Sequence, residues 1–187
     1  MYLLQTITDD VRSSQLAFSR QLKTKRLVLC AVFACLAAVF QAAGGFLPGV
    51  GYFLSPLATA PILFCTMISL PLGFASYVLT NLLLFILQPT ELIIFPFTTG
   101  LLGLGTGAAY FFFKKRLSII ASGAILLTLG ILTLLFGLNF PVLGPAVSGS
   151  FSFLAAGSIF LFAFLYNLIW VEISLLLFKR LRRIITS

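Results

Sequence analysis

The stretch from Lys23 to Gly45 constrains this chain more than any other. Lys23, Lys25 and Arg26 stand at its start, and the residues that follow them to Gly45 carry no charge. A helix of about 20 apolar residues spans the hydrocarbon core of a bilayer, and cations beside such a helix mark its cytoplasmic side. The stretch therefore predicts a membrane-spanning helix that begins at the cytoplasmic face.

Composition extends this interpretation to the whole chain. Hydrophobic residues make up 60% of the sequence and charged residues only 9%, whereas a soluble domain carries about 25% charged residues. The cations behind the net charge of +8 lie in three clusters beside apolar runs, at 12–26, 114–116 and 179–183. Such clusters are typical of anchors beside anionic lipid headgroups. We therefore expect a membrane protein that contacts lipid and no nucleic acid.

Apolar runs and turn signals divide the chain into six predicted spans. The run 53–87 is too long for one crossing, and Pro71 and Gly73 lie near its middle, where a turn would fall. With the amino terminus inside, a single crossing here would leave the cluster 114–116 outside, whereas two crossings return it to the inside. The predicted spans are about 27–47, 53–69, 72–87, 92–113, 117–137 and 152–178.

These spans predict an all-α polytopic membrane protein with both termini in the cytoplasm. Residues 27–183 form the transmembrane domain, 1–26 a cytoplasmic tail or interfacial helix, and 184–187 a short tail. Small residues predict close helix contacts, at Ala34 and Ala38 in the first span and in the GxxxG pair Gly103 and Gly107 of the fourth. Pro56 and Pro61 predict a partly irregular second span.

The chain lacks the usual groups of a catalytic or metal site. Its acids are Asp9, Asp10, Glu91 and Glu172, and it has no histidine. The run 148–150, Ser-Gly-Ser, superficially resembles the active-site segment of an intramembrane serine protease. Such a serine needs a base within reach, and the chain offers none there. The three cysteines sit in apolar runs, where a thiol is usually a small buried hydrophobe. We expect no enzyme activity, no metal and no cofactor.

Polar residues inside predicted spans are few and therefore informative. Gln41, Asn81 and Asn167 are expected to bond between helices, as isolated amides usually do in a bundle. Glu172 either pairs with cations at the inner membrane surface or couples transport to a proton. Trp170 is expected to anchor at the membrane interface.

The three loops on the predicted outer side carry further polar residues, which could converge as the wall of a ligand pocket. The candidate binding residues are Tyr52, Gln88, Glu91, Asn139, Ser148 and Ser150. Glu91 is the one charged group expected on that side. A lone carboxylate without a cation favours a neutral or cationic ligand over an anion.

This layout resembles the substrate-binding S component of energy-coupling factor (ECF) vitamin transporters. The resemblance covers residues 23–183, and its most specific element is the small-residue pattern of the first helix, Ala34-Cys35-Leu36-Ala37-Ala38, which looks like the AxxxA motif of the family. The resemblance implies that Ala34 and Ala38 contact the transmembrane coupling subunit. It also implies a ligand site at the outer half, formed by the candidate residues above, with Tyr52 in a gating loop.

The resemblance further implies a bacterial protein of the cytoplasmic membrane. Such a subunit captures a vitamin-like molecule or micronutrient at the outer face and delivers it together with the coupling subunit and ATPases. Two alternatives remain from the residues alone. One is a non-transporting scaffold or regulator, and the other is a small stand-alone carrier coupled through Glu172.

Overall fold

The fold is an all-helical bundle. The structure, a computed structural model, describes residues 15, 16, 18, 19, 21–47, 49–140 and 153–185, with side chains as far as 177. Among these residues there is no strand, and six helices are long and apolar enough to cross a membrane. They are α1 (Lys23–Phe46), α2 (Gly51–Ile68), α3 (Leu70–Leu87), α4 (Glu91–Phe112), α5 (Arg116–Gly137) and α6 (Phe153–Ile185).

Each of the six predicted spans corresponds to one of these helices, and their ends agree to within about one helical turn, except that α6 continues beyond 178 to Ile185. Short connections make consecutive helices antiparallel, so the first two basic clusters share one end of the bundle. We call this the basic end, and the end with the connections from α1 to α2 and from α3 to α4 the far end. Large apolar side chains on the outside, such as Phe74, Leu82 and Phe85 on α3, are exposed, as a lipid-facing surface requires.

The turn between α2 and α3 is shorter than predicted. Only Ser69 stands outside the helices, with an extended backbone of φ −153° and ψ 113°. Pro71 lies in the first turn of α3, where its missing N–H costs no helical bond. Gly73 packs against the backbone of Thr66 in α2. The two residues expected to form the turn therefore start the next helix and let it approach α2.

Of the two prolines predicted to make α2 irregular, only one lies in irregular backbone. A 3₁₀ turn, Ser55–Ala58, contains Pro56 near its start. Pro61, in contrast, lies inside the regular helical segment Thr59–Ile68. All but one residue of that segment are buried, so it forms the centre of the bundle.

Glycine and alanine allow two close helix contacts. Gly103 and Gly107 of α4 lie against the backbone carbonyls of Thr59 and Leu63 in α2, which confirms the close approach that GxxxG predicts. The second contact joins α1 to α3.

That second contact corrects the interpretation of the alanine row. Ala34 and Ala38 are 0% and 1% exposed, and the Thr80 hydroxyl of α3 donates to the Ala34 carbonyl at 3.3 Å. The row therefore packs inside the chain's own bundle, because small side chains let two helix backbones approach. It offers no free surface to a coupling subunit in this structure.

Asn167 joins three helices, as expected of an interhelical amide. Its Nδ2 donates to the Ile120 carbonyl of α5 at 2.9 Å, and its Oδ1 accepts from the Thr106 hydroxyl of α4 at 2.8 Å. Gly123 of α5 has no side chain, and the Asn167 amide occupies the space where one would lie. Asn81 differs, since its Nδ2 donates to the Tyr77 carbonyl of its own helix at 2.8 Å.

We expect Asn167→Leu to destabilise the folded protein by about 1–2 kcal/mol, because interhelical hydrogen bonds in membranes contribute on this order. The matched control is Asn81→Leu, which removes a bond within one helix and should change stability by less than about 0.5 kcal/mol. Thermal unfolding in the same detergent compares the two. Equal loss of stability in both variants would contradict the bridging role.

Glu172 and Trp170, both on α6, also have defined partners. Glu172 pairs with Arg116 through an Oε1 to NH1 distance of 2.9 Å, which confirms its predicted pairing with a cation. Trp170 is only 5% exposed and packs edge-on against Tyr166. The predicted role of Trp170 as an interface anchor is therefore wrong, because its ring fills the space between α6 and its neighbours.

The described part of the amino-terminal segment folds against the basic end. The Gln15 amide donates to the Met67 carbonyl at the end of α2 at 2.8 Å. Phe18 is 3% exposed, and the Arg26 guanidinium lies 5.7 Å from its ring centroid. This segment thus contributes to the core rather than extending away from it.

Candidate ligand-binding cavity

A cavity of about 320 Å³ lies among the helices towards the far end. Its polar wall consists of Gln41, Tyr52, Ser55, Thr98, Thr99 and Tyr166. Its apolar wall consists of Pro56, Ile94, Leu127, Ile131 and Phe162. A mainly apolar cavity of about this size with a few convergent polar groups is typical of small-molecule sites.

Irregular backbone at the starts of α2 and α4 shapes this cavity. The 3₁₀ turn at Pro56 lies in α2, and a second 3₁₀ turn, Phe95–Phe97, contains Pro96 in α4. A proline breaks the helical ladder and frees backbone groups, which a membrane tolerates only inside protein or beside a cavity. Ser55 is the first residue of one turn and Thr98 directly follows the other, and both residues line the cavity.

A chain of two hydrogen bonds joins α1 to α4 beside the cavity. Gln41 Nε2 donates to Glu91 Oε2 at 2.7 Å, and the Thr99 hydroxyl donates to Gln41 Oε1 at 2.6 Å. Gln41 is 1% exposed, so the nitrogen and the oxygen of this buried amide each have one hydrogen-bond partner. We call Glu91, Gln41 and Thr99 the polar triad.

Glycine provides room for the carboxylate of the triad. A side chain at Gly44 of α1 would begin 3.2 Å from Glu91 Oε1 and 3.4 Å from Ser55 Cβ. Glu91 therefore reaches over α1 from the start of α4 and rests in a gap between α1 and α2. Glu91 does not itself line the cavity, but its Oε2 bonds to Gln41, which does.

Tyr166 forms the inner part of the polar wall. Its hydroxyl lies near the Thr59 hydroxyl and the Trp170 indole N–H. Both of those groups are buried, and within the described part of the chain neither has a hydrogen-bond partner of good geometry. Buried donors of this kind are rare in folded proteins, and here they lie directly behind a cavity residue.

The predicted site residues have different places in the structure. Tyr52 lines the cavity and is 74% exposed. Gln88 packs on Gly45 of α1, and Glu91 bonds to Gln41 without lining the cavity itself. Asn139 is exposed with a φ of 50° and does not line the cavity. Ser148 and Ser150 lie outside the described residues.

Gln41, Thr99 and Tyr166 line the cavity but are not among the binding residues predicted from the sequence. Gln41 had a signal, since an amide near the outer end of a span and a single acid in a nearby loop are natural partners. Thr99 and Tyr166 had none, because threonine and tyrosine are ordinary in membrane helices.

Two further observations define what the site contains. Among the described residues, no group of three histidine, cysteine or acidic side chains is placed to hold a metal ion. The side chains that form the cavity wall carry hydroxyls, amides and apolar surface. This arrangement can hold a small organic molecule by hydrogen bonds and apolar contact.

Comparison of the chain with protein-family models, with curated proteins and with solved structures found no match.

Proposed function

We propose that this membrane protein binds a small organic molecule in the cavity at the far end. The observation that carries the proposal is a wall that combines the Gln41 amide, held by two hydrogen bonds, with apolar side chains around about 320 Å³. Holding a buried amide beside a cavity orients it for recognition, because its geometry is set before a ligand binds.

In its full form, the proposal is that this protein is the substrate-binding subunit of an ECF-type importer in the bacterial cytoplasmic membrane. The positive-inside rule puts the basic end and both termini in the cytoplasm, so that the cavity opens towards the outside. A transmembrane coupling subunit and ATPases then drive delivery of a vitamin-like molecule or micronutrient. The protein itself is not an enzyme in this proposal. Because Ala34 and Ala38 are enclosed, the coupling subunit binds other residues.

The test of binding is mass spectrometry of small molecules released from the gently purified protein. We expect one compound at a stoichiometric amount from the natural sequence and a loss of at least about tenfold from Ile131→Trp, because the larger ring enters the cavity. The matched control is Leu129→Trp on the same helix, where the side chain is 54% exposed and faces outwards. Equal retention in both variants, or no compound at all, would contradict the proposal and favour a scaffold or regulator.

The test of the full form is a pulldown of the tagged protein from a host that contains ECF modules. Recovery of a coupling subunit and ATPases is expected. Transport by the purified protein alone in proteoliposomes, abolished by Glu172→Gln, would instead identify a stand-alone carrier. The Arg116 pairing disfavours that carrier, since Glu172 already has an ionic partner within the bundle.

A further inference from the structure

We infer that the cavity recognises a neutral ligand through a hydrogen bond from the Gln41 amide N–H to a carbonyl oxygen or ring nitrogen. Glu91 is the positioning residue that fixes this donor. The inference rests on the proposed function, because it concerns the ligand of the same cavity.

The first step is the orientation of the amide. A free glutamine side chain can turn either its NH₂ group or its oxygen towards a ligand. Here Glu91 Oε2 accepts from Gln41 Nε2, while the Thr99 hydroxyl donates to Gln41 Oε1. An ionised carboxylate has no proton to donate, so the flipped amide would set two oxygens against each other. The polar triad therefore holds the amide in one orientation.

The second step is the proton that remains. An amide nitrogen carries two N–H groups, and among the described residues one acceptor, Glu91 Oε2, bonds Gln41 Nε2. Gln41 is buried and lines the cavity. A ligand acceptor placed there satisfies the second N–H, whereas a ligand without an acceptor leaves a buried donor unpaired, which costs binding energy.

The third step is charge. The Glu91 carboxylate bonds to Gln41 beside Gly44 and does not itself line the cavity. An ammonium ligand has only donors, so it leaves the Gln41 N–H without an acceptor. An anionic ligand meets the nearby negative charge, and the described side-chain cations belong to the basic end. The sequence alone favours a neutral or a cationic ligand. The structure narrows this expectation to a neutral ligand that carries a hydrogen-bond acceptor.

The experiment uses three probes of similar size: benzamide, benzylammonium and benzoate. They share one ring and differ in charge and in the acceptor that they present. Binding to the full chain in lipid nanodiscs is measured by ligand-observed NMR, and ¹⁵N-glutamine labelling reports on the Gln41 side chain. We expect benzamide to bind about tenfold more tightly than either charged probe and to shift the Gln41 side-chain resonance, since one hydrogen bond contributes on this order.

Glu91→Gln tests the positioning role. A glutamine at this position can donate as well as accept, so the Gln41 amide loses its single orientation. We expect the affinity for benzamide to fall about tenfold, so that it comes closer to the affinity for benzylammonium. The matched control is Glu172→Gln, the same substitution at the basic end, which should leave the probe affinities unchanged. If Glu91→Gln does not fold, Thr99→Val takes its place, because it removes the hydrogen bond from Thr99 to Gln41. We expect this variant also to bind benzamide less tightly.

Several results would overturn the inference. Tightest binding of benzylammonium that is lost in Glu91→Gln would mean that the carboxylate contacts the ligand directly. Tightest binding of benzoate would exclude the neutral preference. If no probe binds and Gln41 does not shift while a copurified compound is still found, the donor role is wrong and the proposed function stands. If no compound is found either, both fail.

Discussion

Ala34→Trp is expected to abolish the folded protein. Ala34 is 0% exposed, and the Thr80 hydroxyl reaches its carbonyl at 3.3 Å, so the backbones of α1 and α3 leave no space for an indole ring. Inserting even a few methylene groups into a packed core costs about 1–3 kcal/mol, and an indole is much larger. The yield of monodisperse protein and its thermal unfolding in detergent measure the effect.

The matched control is Val39→Trp on the same helix. Val39 is 61% exposed, so the larger side chain faces lipid and the yield should equal that of the natural sequence. The comparison also tests the resemblance to S components. If Ala34→Trp folds as well as Val39→Trp but no longer recovers a coupling subunit, the alanine row faces a partner and the internal packing described above is wrong.

Gly107→Leu is expected to have the second large effect. A Cβ at Gly107 would lie 2.5 Å from Thr66 Cβ and 2.9 Å from the Leu63 carbonyl oxygen. Since one of these atoms belongs to the backbone, α4 and α2 must separate to admit a leucine. We expect loss of the monodisperse species, whereas Gly107→Ala should retain it with a stability loss of about 1–3 kcal/mol.

Gly157→Leu is the control for Gly107→Leu. Gly157 is exposed on α6, and a Cβ there meets nothing within 4 Å. Leucine also has the higher helix propensity, so stability should equal or exceed that of the natural sequence. Equal behaviour of the two leucine variants would contradict the close contact between α2 and α4.

The spans were predictable because a bilayer imposes a simple rule on sequence. A crossing helix must be about 20 residues long and nearly free of charge, and α1 to α6 satisfy this rule locally, each from its own residues. The turn at Ser69 was harder, since Pro71 and Gly73 are compatible with both a turn and a helix start. Its position depends on how closely α3 packs against Thr66.

The cavity was predictable only in part. Outer-loop positions included Tyr52, which lines the cavity, and Glu91, but not the Gln41 amide that bonds to Glu91. Gln41 is 50 residues from Glu91 and 58 from Thr99 along the chain. No local pattern reports which helices will be neighbours over such a separation.

The sequence by itself determined that this is a helical membrane protein with six spans, because hydropathy and charge act within each segment. Only the tertiary structure decided what the polar and small residues do, because those roles depend on neighbours distant in sequence. Packing placed the alanine row of the first helix inside the bundle, paired Glu172 with Arg116, and brought Glu91, Gln41 and Thr99 together beside the cavity.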